Sequence, residues 1–409
     1  MTPVRVAARL EEFTRSFRVG SARLDEGEMP TPELRAACGA EAERYEWVLA
    51  ELERRDGDLI GAFVEAQRAR RVELIPSSAT HAVLPLLATR EGIMLQLETG
   101  RRSHARRFGA SGGMWLPECA YEAGLEHLLD EAGVRWFCVD QSAHEAAASA
   151  MTPIAAGPLT AFPIDWEAVQ WLWSMQGYPS DPLYADFHRK SLRGCRPWAI
   201  SGEAYDADAA AERARRQAGE FAAAVGARLA AHRERAGRPG LLTFAIDTEL
   251  LGHWWWEGPE WLASVLECLP EHGVRPVRLS DALAAHPAEP RPLRRSSWGE
   301  EKDLRTWDSP PVADLARGAR RLELRLLREL GARNLSEAAL ARAARELLAV
   351  QASDWAFLDY RRQAGDYPFQ RVLDHSRSLF EAIDSRVQPV EPRLRNLAPD
   401  LVLATLQEP

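Results

Sequence analysis

The chain has 409 residues, 46% apolar and 27% charged, with 27 Gly and 26 Pro, ordinary proportions for a globular protein and enough length for two domains. No stretch reaches the 18 or so uncharged apolar residues of a membrane helix, which excludes a helical membrane protein. Sixty acidic against 51 basic residues give a net charge of -9, which disfavours a phosphate-binding face, so no nucleic-acid partner is expected.

In chain order, short β-like runs alternate with long helical stretches over roughly the first 285 residues, the pattern of an α/β fold built on parallel strands. The predicted strands are Val72 to Ile75, Gly113 to Leu116, Val134 to Val139, Leu241 to Ile246 and Pro276 to Leu279. Several are continuous apolar runs, as when both faces of a strand are covered. Helices are predicted at Tyr121 to Ala132 and over the Ala-rich Ala207 to Ala236. Residues 1–286 read as one α/β domain. Residues 287–310, rich in Pro, Ser and charge, read as a crossing, and Leu and Ala at helical spacing make 311–409 a helical domain.

The five cysteines, Cys38, Cys119, Cys138, Cys195 and Cys268, are odd in number, scattered and without CxxC spacing. They read as reduced thiols rather than bridges or a zinc knuckle. With no apolar signal core in MTPVRVAARL, the expectation is a cytoplasmic protein. The ten His form no HxH or HxxxH pair, so no metal is expected, and no GxSxG, GxGxxG or GxxxxGK[ST] motif points to a serine hydrolase or nucleotide cofactor.

The 14 Trp outnumber both the 7 Tyr and the 12 Phe, and they cluster near two acids. The apolar run Met114-Trp-Leu-Pro stops just before Glu118, which should therefore sit at a strand end, where parallel α/β folds place their chemistry. Asp247 follows the strand-like Phe244-Ala-Ile246, and His253 with Trp254, Trp255 and Trp256 fills the loop behind it. Two carboxylates at strand ends, flanked by indoles that stack on sugar rings, suit glycosidic bond chemistry if both face one pocket. A helix cap is the plainer reading of either acid taken alone.

With these residues quoted, the chain resembles glycoside hydrolase family 57, in particular its α-1,4-glucan branching enzymes. The likeness runs through Trp115-Leu-Pro-Glu-Cys-Ala-Tyr121 and Asp247-Thr-Glu-Leu-Leu-Gly-His-Trp-Trp-Trp-Glu-Gly258, and also through Ser78-Ala-Thr-His81, Gly177-Tyr-Pro179, Ser297-Trp-Gly299 and Ser353-Asp-Trp355. It implies an incomplete (β/α)7 barrel followed by an all-helical C-terminal domain over the cleft, a retaining mechanism, no metal or other cofactor, and an α-glucan substrate. By matching position Glu118 would be the nucleophile and Asp247 the general acid/base. Substrate contacts would come from His81, Trp115, Arg189, Trp198, Gly202, His253, Trp255, Trp298, Trp307, Asp354 and Gln363, each of which also has a packing or loop-bracing reading. Nothing in the sequence sets an oligomeric state.

Two departures from the family pattern stand out. No HxHxP strand precedes Met1-Thr-Pro-Val4, which resembles the family's second strand, so the first strand would be lacking through a late start. Between Gln141 and Trp173, where the family carries a lid loop with a tyrosine, the chain is short and has no Tyr. A shorter lid favours hydrolysis over transfer, because transfer requires that water be kept from the intermediate. The alternatives to branching are thus an α-amylase or 4-α-glucanotransferase of the same family, or a catalytically silent glucan-binding protein.

Overall fold

The computed structural model describes residues 3–143, 150–332, 335–385 and 397–406. The helices are, in order, α1 (Pro3–Phe13), α2 (Gly20–Glu28), α3 (Pro32–Arg54), α4 (Leu59–Arg68), α5 (Arg90–Phe108), α6 (Leu125–Glu131), α7 (Trp166–Trp173), α8 (Ala207–Ala236), α9 (Gly258–Cys268), α10 (Leu279–Ala285), α11 (Ala313–Gly331), α12 (Glu337–Val350), α13 (Ser353–Tyr360) and α14 (Tyr367–Ser385). The strands are β1 (Gly113–Met114), β2 (Trp136–Val139), β3 (Ile154–Ala156), β4 (Leu159–Pro163) and β5 (Glu289–Pro290). They form one sheet in the order β1-β2-β4-β3-β5. All neighbours in it are parallel except the β3–β4 hairpin. None of the described helices is long and apolar enough to cross a membrane.

Contacts divide the chain into two compact units, each made of two separate stretches: residues 1–73 with 165–278, and residues 74–164 with 279–409. The first unit is built on α8, whose alanines Ala210, Ala214, Ala218 and Ala222 bring its backbone close to aromatic neighbours including Trp255, Trp261 and Tyr184. Asp206 starts this helix by accepting from the N–H groups of Asp208 and Ala209, and Gly237 ends it in the left-handed conformation. The helix therefore spans the residues that the Ala-rich stretch predicts.

The second unit holds the sheet, with Met114, Leu116, Phe137, Val139 and Ile154 at its buried core. A Cβ on Gly113 would lie 2.1 Å from the Trp136 ring, so only glycine lets β1 approach β2 here. A separate apolar cluster joins α11, α12 and α14, with Leu326, Leu347, Leu348 and Leu379 inside it. This is the helical C-terminal region expected from residue 311 onward.

Several local expectations are corrected. Val72 to Ile75, Leu241 to Ile246 and the residues before Leu279 lie outside any strand ladder. Pro76 and Pro276 have no N–H to donate, and single bonds replace the ladder: Trp115 N–H to Pro76 O at 2.9 Å, Asp165 N–H to Thr243 O at 2.8 Å. Leu279 opens α10. Of the residues taken for a second strand, Met1 and Thr2 lie outside the described residues, and Pro3 and Val4 open α1. Pro3 suits the first helical position, and Val6, Leu10 and Phe13 follow at helical spacing. The helix expected from Tyr121 begins only at Leu125, after Gly124 at φ 101°, because Tyr121 is paired with Ser296. Within the stretch taken for a short lid, residues 144–149 lie outside the described residues, and much of the remainder is β3, β4 and α7.

Candidate active site

Glu118 follows β1 in a single 3-10 turn, Pro117–Cys119, and its own backbone is left-handed, φ 58° and ψ 21°. His81 has φ 57° and Cys119 φ 49°. A left-handed conformation costs a residue with a Cβ about 1 to 3 kcal/mol, and such residues collect at functional sites, where the surrounding structure holds them. Here the Glu118 carbonyl accepts from Trp298 N–H at 2.7 Å, and Tyr121 and Ser296 exchange N–H···O bonds of 3.0 and 3.1 Å. The segment around Trp298 is thus clamped along the Glu118 turn.

The Glu118 side chain is met from the C-terminal region. Ser353 Oγ, at the start of α13, donates to Glu118 Oε1 at 3.0 Å. His81 Nδ1 lies 3.0 Å from the same Oγ and 3.6 Å from Oε1. The serine has one proton, and the carboxylate takes it, so the imidazole must be the donor through Nδ1–H. Burial lowers the His81 pKa, against the opposing charge of Asp354, which favours a neutral ring. Its Nε2 is then left as an acceptor.

Trp115 and Trp298 meet edge to face, 5.0 Å between centroids at 70°. Both are half-buried, and the buried Trp298 Nε1 has no protein partner among the described residues. The turn behind Trp298 is braced by Lys302, whose Nζ lies 3.4 Å from the wholly buried Asp140 next to the end of β2. Trp307 is packed beneath that turn, since a Cβ on Gly299 would stand 2.7 Å from its ring. Its place in a cluster with Val83, Ala120 and Leu304 makes it a core residue rather than an open stacking face. Asp354 is exposed beside Ser353, and Gln363 is exposed three residues beyond the end of α13.

The other candidates belong to the first unit. Asp247 is exposed, just before the short turn Thr248–Leu250. Desolvation by the protein around it, and secondarily the charge of Glu249, raise its pKa. In the loop behind it the three adjacent tryptophans divide. Trp255 keeps 1% of its surface and packs against Tyr184 and Trp261, and Trp256 is also buried. Trp254 keeps 40%. The expected substrate contact at Trp255 is therefore a core contact in this structure, and the exposed ring is its neighbour's.

His253 is exposed, with its ring 5.5 Å from that of Phe187 and its carbonyl accepting from Arg196 Nη1 at 3.0 Å. Arg189, Trp198 and Gly202, chosen separately along the sequence, come together. The Arg189 guanidinium lies 4.4 Å from the Trp198 ring centroid, and its Nη1 donates to Gly202 O at 3.2 Å. Sequence reasoning missed Ser353, although it stands beside Asp354 in a quoted motif, and the Asp140–Lys302 pair, which no local signal announces.

A strand-end carboxylate in a constrained turn, held by a hydroxyl and an imidazole beside paired indoles, is the equipment of a carbohydrate-active α/β fold. Comparison with known proteins agrees. The glycosyl hydrolase family 57 model matches residues 36–291, and a model for the C-terminal region of 1,4-alpha-glucan branching enzymes matches residues 315–396. The chain belongs to glycosyl hydrolase family 57.

It is 34% identical to a 1,4-alpha-glucan branching enzyme of Thermococcus kodakarensis, over 82% of this chain and 57% of that protein. It is 33% identical to a probable 1,4-alpha-glucan branching enzyme of Mycobacterium tuberculosis, over 76% of this chain and 64% of that one. The chain thus spans about three fifths of these relatives' length. Among solved structures, the family 57 branching enzyme of Pyrococcus horikoshii is similar with a TM-score of 0.90 at 28% identity, over 99% of this chain and 84% of that one. The mixed α/β fold with its helical C-terminal region is thus that of family 57 branching enzyme structures.

Proposed function

We propose that this protein is a retaining 1,4-α-glucan branching enzyme, cutting an α-1,4 link in a glucan and rejoining the freed segment through an α-1,6 bond. Residues 1–286 would form the catalytic domain, 287–310 the crossing and 311–409 the helical domain. Glu118 attacks the anomeric carbon and carries the glycosyl group as an ester. Asp247 protonates the leaving oxygen and then takes the proton of the acceptor's 6-hydroxyl, two carboxyls about 5 to 5.5 Å apart being what such a mechanism requires. A raised Asp247 pKa suits this role, since an ordinary exposed aspartate is ionised at neutral pH.

The single observation that carries this reading is the hydrogen bond from Ser353 to Glu118. Ser353 lies within the stretch that matches the branching-enzyme C-terminal model, so that segment is tied to the attacking carboxylate. His81 Nε2 is an acceptor for a sugar hydroxyl, and Trp298 with Trp115, Trp254, His253, and the Arg189–Trp198–Gly202 group supply stacking and hydrogen-bonding surface for glucose units. Asp354 and Gln363 face the acceptor chain. A polymer of glucose is the partner, and a cytoplasmic setting suits a protein whose cysteines are all free.

Incubation with amylose tests the proposal. Branching lowers iodine staining and releases few reducing ends, and isoamylase treatment of the product then yields short chains. A large rise in reducing ends would indicate hydrolysis instead and overturn the transferase assignment. Binding of amylose with no turnover in the unmutated chain, equal to that of Glu118→Gln, would overturn catalysis altogether.

A further inference from the structure

The first unit contains a cluster of donor groups that the glucan chemistry does not use. Asp25 on α2, Cys38 on α3 and Cys195 in the loop before Arg196 bring one ligand atom each to within 4.8 Å of one another. They keep only 3%, 0% and 2% of their surface. Glu41, one turn after Cys38 on α3 and 7% exposed, adds a fourth donor: its Oε2 lies 3.0 Å from Cys195 Sγ. Three separate pieces of chain thus bring two sulfurs and the Asp25 carboxylate to one buried point, with the Glu41 carboxylate alongside at Cys195.

Each carboxylate is also held from outside the cluster. Arg193 Nη1 and Ser191 Oγ donate to the two oxygens of Asp25, at 2.8 and 2.5 Å. Arg196 N–H donates to Glu41 Oε2 at 2.7 Å. Outer hydrogen bonds of this kind orient metal-ligating carboxylates; each Asp25 oxygen keeps a further lone pair, and Glu41 Oε2 gains one when Cys195 no longer donates to it.

We propose that Cys38, Cys195, Asp25 and Glu41 form a structural site for a thiophilic divalent cation of the zinc class. Two thiolates and two carboxylate oxygens are a donor set that Zn2+ accepts, at about 2.3 and 2.0 to 2.2 Å respectively, with tetrahedral geometry. To reach it, Asp25, Cys38 and Cys195, whose ligand atoms already lie within 4.8 Å of one another, draw together, while Glu41 Oε2 moves off Cys195 Sγ toward the ion. On binding, the two thiol protons pass to solvent and both Cys195 and Glu41 exchange their mutual hydrogen bond for the metal. The ion would tie α2 and α3 to the loop that leads into Arg196 and Trp198. With four protein ligands it has no open position, so it takes no part in the sugar chemistry.

The test uses the full chain, purified under reducing, metal-free conditions, loaded with Zn2+ alone and freed of excess by gel filtration. About one zinc per chain is expected by elemental analysis, with retention lowered more than about tenfold in Cys38→Ser and in Cys195→Ser. Co2+ in place of Zn2+ should give the intense near-ultraviolet sulfur-to-cobalt absorption in the unmutated chain, a readout that stands even if either variant folds poorly. Three results would each overturn the site: no zinc retained by the unmutated chain, equal retention by the folded serine variants, or an intact mass lower by two hydrogens with both thiols blocked, which would make the pair a disulfide.

Discussion

Ser353 Oγ donates a 3.0 Å hydrogen bond to Glu118 Oε1 across 235 positions of sequence. A hydrogen bond to a charged group contributes about 1.5 to 3 kcal/mol, and here it falls on the carboxylate proposed as the nucleophile. Ser353→Ala is expected to lower kcat roughly tenfold or more, with little change in KM, and Ser353→Thr to recover much of the loss. Steady-state kinetics on amylose measure this. A rise in KM alone would mean that Ser353 serves binding rather than the carboxylate.

With Asp247 as the proposed general acid, its raised pKa sets the direction expected of the pH response. A general acid works protonated, so activity falls as pH rises through its pKa, and raising that pKa extends activity toward alkaline pH. Glu249 contributes to the increase as a like charge. Glu249→Gln is therefore expected to move the alkaline limb of kcat to lower pH, and Asp247→Asn to abolish turnover. A limb unmoved in Glu249→Gln would assign it to another group.

Adjacent tryptophans should respond in opposite ways. Trp255→Ala empties a core position and should cost about 3 to 5 kcal/mol of stability. Trp254→Ala removes an exposed ring, so its stability should stay within about 0.5 kcal/mol while the KM for glucan rises. Chemical denaturation and kinetics on the two variants separate the roles.

Lys302→Met removes the ammonium that lies 3.4 Å from the buried Asp140. The expected destabilisation is about 2 to 3 kcal/mol, below that of a fully buried pair because the lysine side chain keeps 33% of its surface. Since the same turn supports Trp298, glucan affinity should fall as well. Loss of stability without loss of affinity would show that Trp298 is held by its other bonds alone.

Much of this was legible in the sequence, and what failed did so for physical reasons. Ala207–Ala236 has caps at both ends and a one-sided apolar face, so its limits could be read locally. The segments next to Pro76 and Pro276 look like strands because their composition is apolar, yet pairing depends on partners that composition does not record. Glu118 stands in a turn just beyond β1, as its motif suggested, and Arg189, Trp198 and Gly202 assemble as a group. Three consecutive tryptophans carry no local mark of which ring faces the core. The same limit hid the Cys38–Cys195 encounter, because the spacing rules for thiols see only neighbours along the chain, and these lie 157 positions apart.

The interleaving of the two units has a consequence for how the protein is made. Neither is contiguous: the first needs residues up to 278, and the second needs the stretch from 279 onward in addition to 74–164. A ribosome emitting the chain from its N-terminus releases α3 long before α8, with which it shares a core, and β1 to β4 before β5 completes the sheet. The first unit must therefore wait for the chain to reach residue 278 and the second for residues beyond it, and a chain interrupted before residue 278 leaves both cores open to aggregation.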